Sequence, residues 1–395
     1  MAKATLGDVF DVTKYSASTG GSPSDNSKAF LNAWKAACDS DGNATFLVPK
    51  GTFQLGQVKF VGPCSSGTPR VQFSGELHAP ANLESISDEA WIDFEDLNGL
   101  VVAGGGVIHG QGADAWSKDS DNKPVSLRFM KITTGTISDL TLKDSKFFHI
   151  SIHQSQSITI DRLKISAPGD SKNTDGIHIS ASNNITLTSL NIGTGDDCVS
   201  IGQGSVNITV SDVMCGPGHG LSIGSLGKDK DEENVAHVTV KNCSVTGTTN
   251  GLRIKTWGGS PPSEAFNIRF EDIFLSNVSN PIIIDQAYCP GDDCSKEPSQ
   301  VKISDVTFKN IHGTSNTPVA VELQCSEAVP CKNINLDQIN LQPLTSIVSN
   351  ISSVCSNVLV PPLPSTIIPK PHPAYSTRSH FPLPTSAPKP KPKPA

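Results

Sequence analysis

Short apolar runs, many opened by Asn, recur down the chain: Ile158-Thr-Ile, Ile185-Thr-Leu, Ile208-Thr-Val, Val238-Thr-Val, Ile268-Arg-Phe, Val301-Lys-Ile and Ile334-Asn-Leu. Their first residues lie 27, 23, 30, 30, 33 and 33 apart, and most are followed about six residues later by a second run such as Leu190-Asn-Ile or Ile273-Phe-Leu. A period of 20–35 residues without intervening helices is the mark of a solenoid. One unit of two or three alternating strands cannot bury its apolar face alone. Stacked units share a continuous Ile/Val/Leu core, with strands about 4.8 Å apart along the axis. The chain is therefore expected to be all-β, a single-stranded right-handed parallel β-helix. A β-sandwich is the competing architecture, but its Greek-key strands give no reason for one motif to return at this period.

One segment reads as a helix. Phe30, Leu31, Trp34, Ala37 and Cys38 fall on one helical stripe, with Asp25 or Ser27 as the N-cap, so Asp25–Cys38 is predicted to cap the N-terminal end of the solenoid. Residues 1–360 then form the β-helix domain. Residues 361–395 differ in kind: they hold 12 of the 28 prolines and end Pro-Lys-Pro-Lys-Pro-Lys-Pro-Ala, the composition of an extended polyproline II or disordered tail. The tail carries five Lys/Arg and no Asp or Glu, so a net charge of −7 for the whole leaves about −12 on the body. An acidic body makes a poor nucleic-acid binder, and any anionic substrate must be held by local cations. The tail's lysines suit a tether to an anionic polymer. With 17% charged and 36% hydrophobic residues the body is neither a coiled coil nor disordered. No apolar stretch approaches the roughly 18 residues of a membrane span. The chain is expected to act as a monomer, without nucleic-acid or membrane partners.

Ten cysteines include the close pairs Cys289/Cys294 and Cys325/Cys331 and the longer candidate pairs Cys198/Cys215 and Cys38/Cys64. Asn-X-Ser/Thr sequons occur at Asn43, Asn184, Asn207, Asn242, Asn277 and Asn350. Together they suggest an oxidising, secretory setting and a glycoprotein. Met1-Ala-Lys-Ala-Thr lacks the apolar core of a signal peptide. The expectation is a secreted chain whose signal was replaced by a start Met, the alternative a chain that is not secreted.

Polar clusters recur in phase with the coils: Asn173-Thr-Asp175-Gly, Gly195-Asp196-Asp197-Cys198, Gly218-His219-Gly220, Arg253-Ile-Lys255 and Asp285-Gln-Ala-Tyr288. The steps Asp175–Asp197 and Asp197–His219 are both 22 residues, and His219–Arg253 and Arg253–Tyr288 are 34 and 35. Residues one coil apart stack on one face, so three carboxylates, an imidazole, two cations and a phenol should meet in one patch. Neighbouring carboxylates cannot all ionise cheaply, so one should hold a proton. A protonated carboxyl beside ionised ones suits glycosidic cleavage, one group protonating the leaving oxygen and another activating water. Carboxyls on adjacent rungs could reach the roughly 6.5–9.5 Å separation of an inverting hydrolase. Arg253 and Lys255, two apart on a strand, face one side and suit a substrate carboxylate.

Taken singly, each signature has an ordinary structural meaning: Asp-Gly and Gly-Asp-Asp make turns, a Gly-flanked His marks a bend, Arg-X-Lys is a solvated strand face. Gly-Asp-Asp-Cys indeed occurs a second time, at 291–294, inside the Cys289/Cys294 segment and out of coil register, where Asp292 and Asp293 read as structural. Co-registration lifts the first copy above that reading.

Over residues 10–360 these motifs, in this order and spacing, resemble the polygalacturonases of glycoside hydrolase family 28. The resemblance implies the pectin-lyase-like solenoid and inverting hydrolysis of α-1,4-linked galacturonate in polygalacturonate (pectin), with no cofactor and no metal. It casts Asp196 as general acid, Asp175 and Asp197 as the groups that hold and deprotonate the water, and His219 as support for the acid's protonation. Arg253 and Lys255 would bind the galacturonate carboxylate, Tyr288 would stack or hydrogen-bond, and Asn173 would touch substrate. Phe147-Phe-His-Ile, Ala167-Pro-Gly-Asp-Ser, Ser222-Ile-Gly-Ser-Leu-Gly and Pro281-Ile-Ile-Ile-Asp-Gln-Ala-Tyr-Cys look most like the plant pollen-type exo-acting members, secreted to the cell wall. Action within chains on the same scaffold is the alternative. The segment after Trp116 is short, and the cysteines expected beyond Cys355 are missing, which leaves Cys243 and Cys355 without assigned partners. Two other classes compete: a calcium-dependent pectate lyase, needing a carboxylate cage, and a non-catalytic pectin-binding wall protein.

Overall fold

The protein is described from a computed structural model covering residues 7–118, 123–291, 294–359 and 371–373. Among these residues all paired strands run parallel, one sheet gathering 18 strands and a second gathering 12. Successive coils stack residue on residue, so the chain winds as the predicted right-handed parallel β-helix. The apolar runs do stack: Ile158, Ile185, Ile208, Val238 and Ile268 occupy one register position, all buried. The next member is Val306, not the Val301 suggested by spacing, and Val306 in turn meets Ile334. Val301 and Val306 belong to one strand, Val301–Ser315, whose long apolar alternation fits two registers equally well in sequence, and Val301 pairs instead with Ser263.

The Asn that opens many runs has a local cause. Asn184, Asn207, Asn267 and Asn333 take φ between 53° and 58°, and so do His237 and Asp305 at the same corner. Left-handed backbone turns the chain there, and Asn and Asp adopt it at least cost among residues with a side chain. A second corner follows in the same way at Ser189, Asp212, Asn242, Asp272 and Asn310, which separates each first run from its second.

The capping helix α1 spans Pro23–Cys38. Its N-cap is Ser22, whose Oγ accepts from the Asp25 amide, rather than Asp25 or Ser27; Pro23 fits the first turn and extends the helix by two residues beyond the predicted start. Leu31, assigned to the buried stripe, is exposed, while Phe30, Ala33, Trp34 and Ala37 pack onto the coils. Trp34 meets Phe46, Phe60 and Phe94, and Phe94 stacks on Phe129, so an aromatic column seals the N-terminal end. Each such buried side chain contributes about 1.5–3 kcal/mol.

All four proposed disulfides form: Cys38–Cys64, Cys198–Cys215, Cys289–Cys294 and Cys325–Cys331. Cys243 and Cys355 carry free thiols, Cys243 buried. Of the Pro/Lys tail, residues 371–373 pair as a short strand with Ser353–Cys355. The rest of the tail, with Asp292 and Asp293, lies outside the described residues.

Candidate active site

Five strands of the 12-stranded sheet form the floor: β1 (Ile177–Ser180), β2 (Val199–Ile201), β3 (Leu221–Leu226), β4 (Asn250–Trp257) and β5 (Asn280–Tyr288). Their register stacks His178, Ser200, Ser222, Arg253 and Ile283 in one row across the sheet. The turn entering each of the first three strands delivers an acid or imidazole: Asp175 before β1, Asp196 and Asp197 before β2, His219 before β3. The glycines around His219 are needed by neighbouring backbone. Gly218 has φ 145° and Gly220 φ 88°, and a Cβ on Gly220 would fall 2.1 Å from the Asn250 carbonyl oxygen.

The three carboxylates have separate environments. Asp197 is sunk in the floor, its side chain 1% exposed. Its Oδ1 accepts from Arg253 Nη2 at 2.7 Å and Ser222 Oγ at 2.7 Å, its Oδ2 from Lys255 Nζ at 2.9 Å. Burial alone would raise its pKa, but Lys255 and Arg253 outweigh burial and hold it below the ordinary carboxylate value. Asp175 is also buried, but among the described residues its side chain has one close partner, Ser200 Oγ, donating to Oδ2 at 2.6 Å. Burial and the charges of Asp196 and Asp197 push its pKa well above the ordinary value. So one carboxyl is raised, as the clustering demanded, and it is Asp175, which the resemblance casts as a partner of the attacking water rather than as the proton donor. Asp196 is more open, its side chain 19% exposed, and its Oδ1 lies 2.9 Å from His219 Nδ1, itself 37% exposed. The Asp197 amide also donates to that oxygen, at 2.8 Å. Arg253 and Lys255 are both held protonated by Asp197, which overcomes their burial.

Tyr288 closes the cationic end: its ring centre lies 5.1 Å from Lys255 Nζ and 6.0 Å from Arg253 Cζ. Asn173 is exposed with φ 56°, two residues ahead of Asp175. Thus Asp175, Asp196, Asp197, Arg253, Lys255 and Tyr288 converge with His219, while Asn173 is placed only by its position in the exposed turn ahead of Asp175. Sequence reasoning missed Ser200, Ser222 and His178. They sit inside ordinary strand sequence, and only their register, one residue deep into β1, β2 and β3, marks them. It also missed His149, fully buried beneath Asp175, whose amide donates to the Asp175 carbonyl at 2.8 Å.

Among the described residues Asp196, Asp197 and His219 are the group whose donor atoms come within 4.8 Å of one another. Two carboxylates and an imidazole fall far short of the six to eight oxygens that calcium takes, and Asp197 is already neutralised by two cations. The donor set therefore does not fit a calcium-dependent lyase.

Fold and site together define a β-helical glycoside hydrolase. Residues 38–361 match glycosyl hydrolases family 28, and the chain belongs to that family. It is 43% identical over 369 residues to an exopolygalacturonase of Platanus acerifolia, covering 90% of this chain and 97% of that one. It is 46% identical over 338 residues to a polygalacturonase of Nicotiana tabacum, covering 84% of each. Among solved structures it superposes on the endo-xylogalacturonan hydrolase from Aspergillus tubingensis with a TM-score of 0.76 at 25% identity, covering 93% of this chain and all of that one.

Proposed function

We propose that the protein is a polygalacturonase that hydrolyses α-1,4-galacturonosyl linkages with inversion and acts from chain ends. The observation that carries this reading is the division of labour within one carboxylate cluster. Asp196, the most open of the three acids and paired with His219, is the proton donor to the leaving oxygen. Asp175, with its raised proton affinity and no cation of its own, is the stronger base of the buried pair and takes the proton of the attacking water. Asp197, neutralised by Arg253 and Lys255, holds that water and anchors the cations. Arg253 commits Nε to Ser222 and Nη2 to Asp197 and keeps Nη1 for a substrate carboxylate beside Lys255, under the ring of Tyr288. Asn173 contacts the sugar from the exposed turn ahead of Asp175. The exopolygalacturonase name of a relative matched along nearly its full length supports end attack.

Four disulfides support maturation in an oxidising compartment, hence secretion toward the polygalacturonate of a wall. No helix among the described residues is long and apolar enough to cross a membrane. The test is product analysis on polygalacturonate: galacturonate alone from the first turnover is expected, and mixed oligomers would replace end attack by internal attack. Asp196→Asn should abolish reducing-sugar release while the melting curve is retained. A fully active variant would remove the assignment, and binding without turnover by the native chain over the acidic range would favour a pectin-binding protein.

A further inference from the structure

Two hydrogen-bonded chains run side by side across the floor. Asp175 accepts from Ser200 Oγ at 2.6 Å, and Ser200 Oγ lies 2.8 Å from His178 Nδ1. One rung along, Asp197 accepts from Ser222 Oγ at 2.7 Å, and Ser222 Oγ accepts from Arg253 Nε at 3.0 Å. Each chain runs from an aspartate through a serine to a third member, which stands one rung before the serine in the first (His178 beside Ser200) and one rung after it in the second (Arg253 beside Ser222), where it also reaches Asp197 directly. They differ in the third member, an imidazole behind Asp175 and a guanidinium behind Asp197.

The difference has chemical content. A guanidinium only donates, so Ser222 must point its own hydrogen at Asp197, and that carboxylate is fixed as an acceptor. An imidazole presents either a donor or an acceptor at Nδ1. With Asp175 ionised, His178 donates to Ser200 and Ser200 donates to Asp175. With Asp175 protonated, its O–H donates to Ser200, whose hydrogen turns to the bare Nδ1 of the other tautomer. In both states of Asp175 the chain from its Oδ2 through Ser200 to His178 stays hydrogen-bonded, which suits a base that gains and loses a proton each turnover. The tautomer change moves the ring proton between Nδ1 and Nε2 of a side chain that is partly buried.

The surroundings keep the ring uncharged. Burial and the facing ammonium of Lys255 lower its pKa to about 4, against the opposing pull of Asp197, and His153 adds to the lowering. Phe148 stacks on the ring at 4.9 Å, and Phe147 on Phe148 at 4.0 Å. Gly202 leaves the ring its space, since a Cβ there would stand 3.2 Å from His178 Cε1.

We propose that His178 and Ser200 are positioning residues for Asp175, an uncharged, reversible hydrogen-bond pair that keeps this carboxyl oriented as the site's proton acceptor. The inference rests on the assignment of Asp175 as base. Ser200→Ala and His178→Leu should lower kcat roughly ten- to hundred-fold with KM little changed, because neither side chain is assigned to the sugar. Ser200→Ala also removes a donor to the carboxylate, so the acidic limb of the rate profile should move to higher pH. His178→Asn, whose amide can donate or accept near the Nδ1 position, should recover most of kcat. His178→Lys brings a cation and should move the acidic limb to lower pH. Wild-type kcat and an unshifted limb in Ser200→Ala and His178→Leu, with melting curves showing both folded, would overturn the proposal. An active Asp175→Asn control would instead overturn the base assignment beneath it. The carbon-13 shift of the Asp175 carboxyl, followed against pH, separates the two without turnover: its titration must rise in Ser200→Ala and fall in His178→Lys, and an unchanged titration rejects the pair directly.

Discussion

Ser200 and Ser222 occupy one register position on adjacent strands, and each donates its hydroxyl to a different aspartate, Asp175 at 2.6 Å and Asp197 at 2.7 Å. What lies around each acid decides its character. Lys255 and Arg253 make Asp197 an anchored anion, while burial and the charges of Asp196 and Asp197 outweigh Ser200 and Lys255 and leave Asp175 with high proton affinity.

Asp197→Asn removes the anion that directly pairs the buried cations Arg253 and Lys255. Breaking a buried pair from one side costs about 3–5 kcal/mol. Chemical denaturation should show a loss of that order, and Asp197→Asn combined with Lys255→Met should regain part of it. An unchanged denaturation midpoint in the single variant would contradict the pairing.

Asp175→Asn should have the opposite effect on stability. Native Asp175 binds its proton more tightly than the unfolded chain does, so its stabilising contribution is complete below about pH 4 and is lost as pH rises through the native value. The Asn variant should therefore be inactive yet melt at a higher temperature than the native chain near neutral pH, the gap closing on acidification. A gap that widens toward acid would reverse the sign of the argument.

His149 carries the reverse dependence. It is fully buried, and burial lowers its pKa from 6.5 to about 4. The unfolded chain takes up a proton that the native chain refuses, so stability present above about pH 6.5 falls as pH drops toward 4, by roughly 3 kcal/mol. Thermal melting from pH 7 to 4 should fall less steeply in His149→Gln than in the native chain, whatever its absolute stability. Parallel slopes would show that His149 does not carry the dependence.

The Cys198–Cys215 bridge begins at the residue after Asp197 and closes a loop with a sequence separation of 17. By the chain-entropy account such a loop contributes about 3 kcal/mol. Replacing both cysteines with Ser should lower the melting temperature and reduce kcat through looser placement of Asp196 and Asp197. Retained activity with lowered stability would confine the bridge to folding.

The stacking of the site was legible because a solenoid converts sequence spacing directly into spatial adjacency: steps of 22 residues from Asp175 to Asp197 to His219 become adjacent rungs. The helix was legible in Phe30 and Trp34, but its cap was not, since Ser22, Asp25 and Ser27 offer equivalent oxygens and only tertiary placement selects Ser22. The step to Val306 was hidden because the coil carrying the Cys289–Cys294 loop is longer, and two alternations within one strand fit the pattern. Which acid would have its proton affinity raised was also hidden. That depends on Arg253 and Lys255 both reaching Asp197 and neither reaching Asp175 within hydrogen-bonding distance, a matter of side-chain geometry.

The corner columns at Asn184 and Asp212 leave the length of the turns opposite them free, so coils can gain or shed residues there without disturbing the strand pairing. Inside β2 there is no such slack: one inserted residue would swing Ser200 into the apolar interior and turn Ile201 toward the carboxylates. Evolution of such a chain is thereby channelled. The surroundings of the candidate site can drift through turn length while its floor is inherited whole.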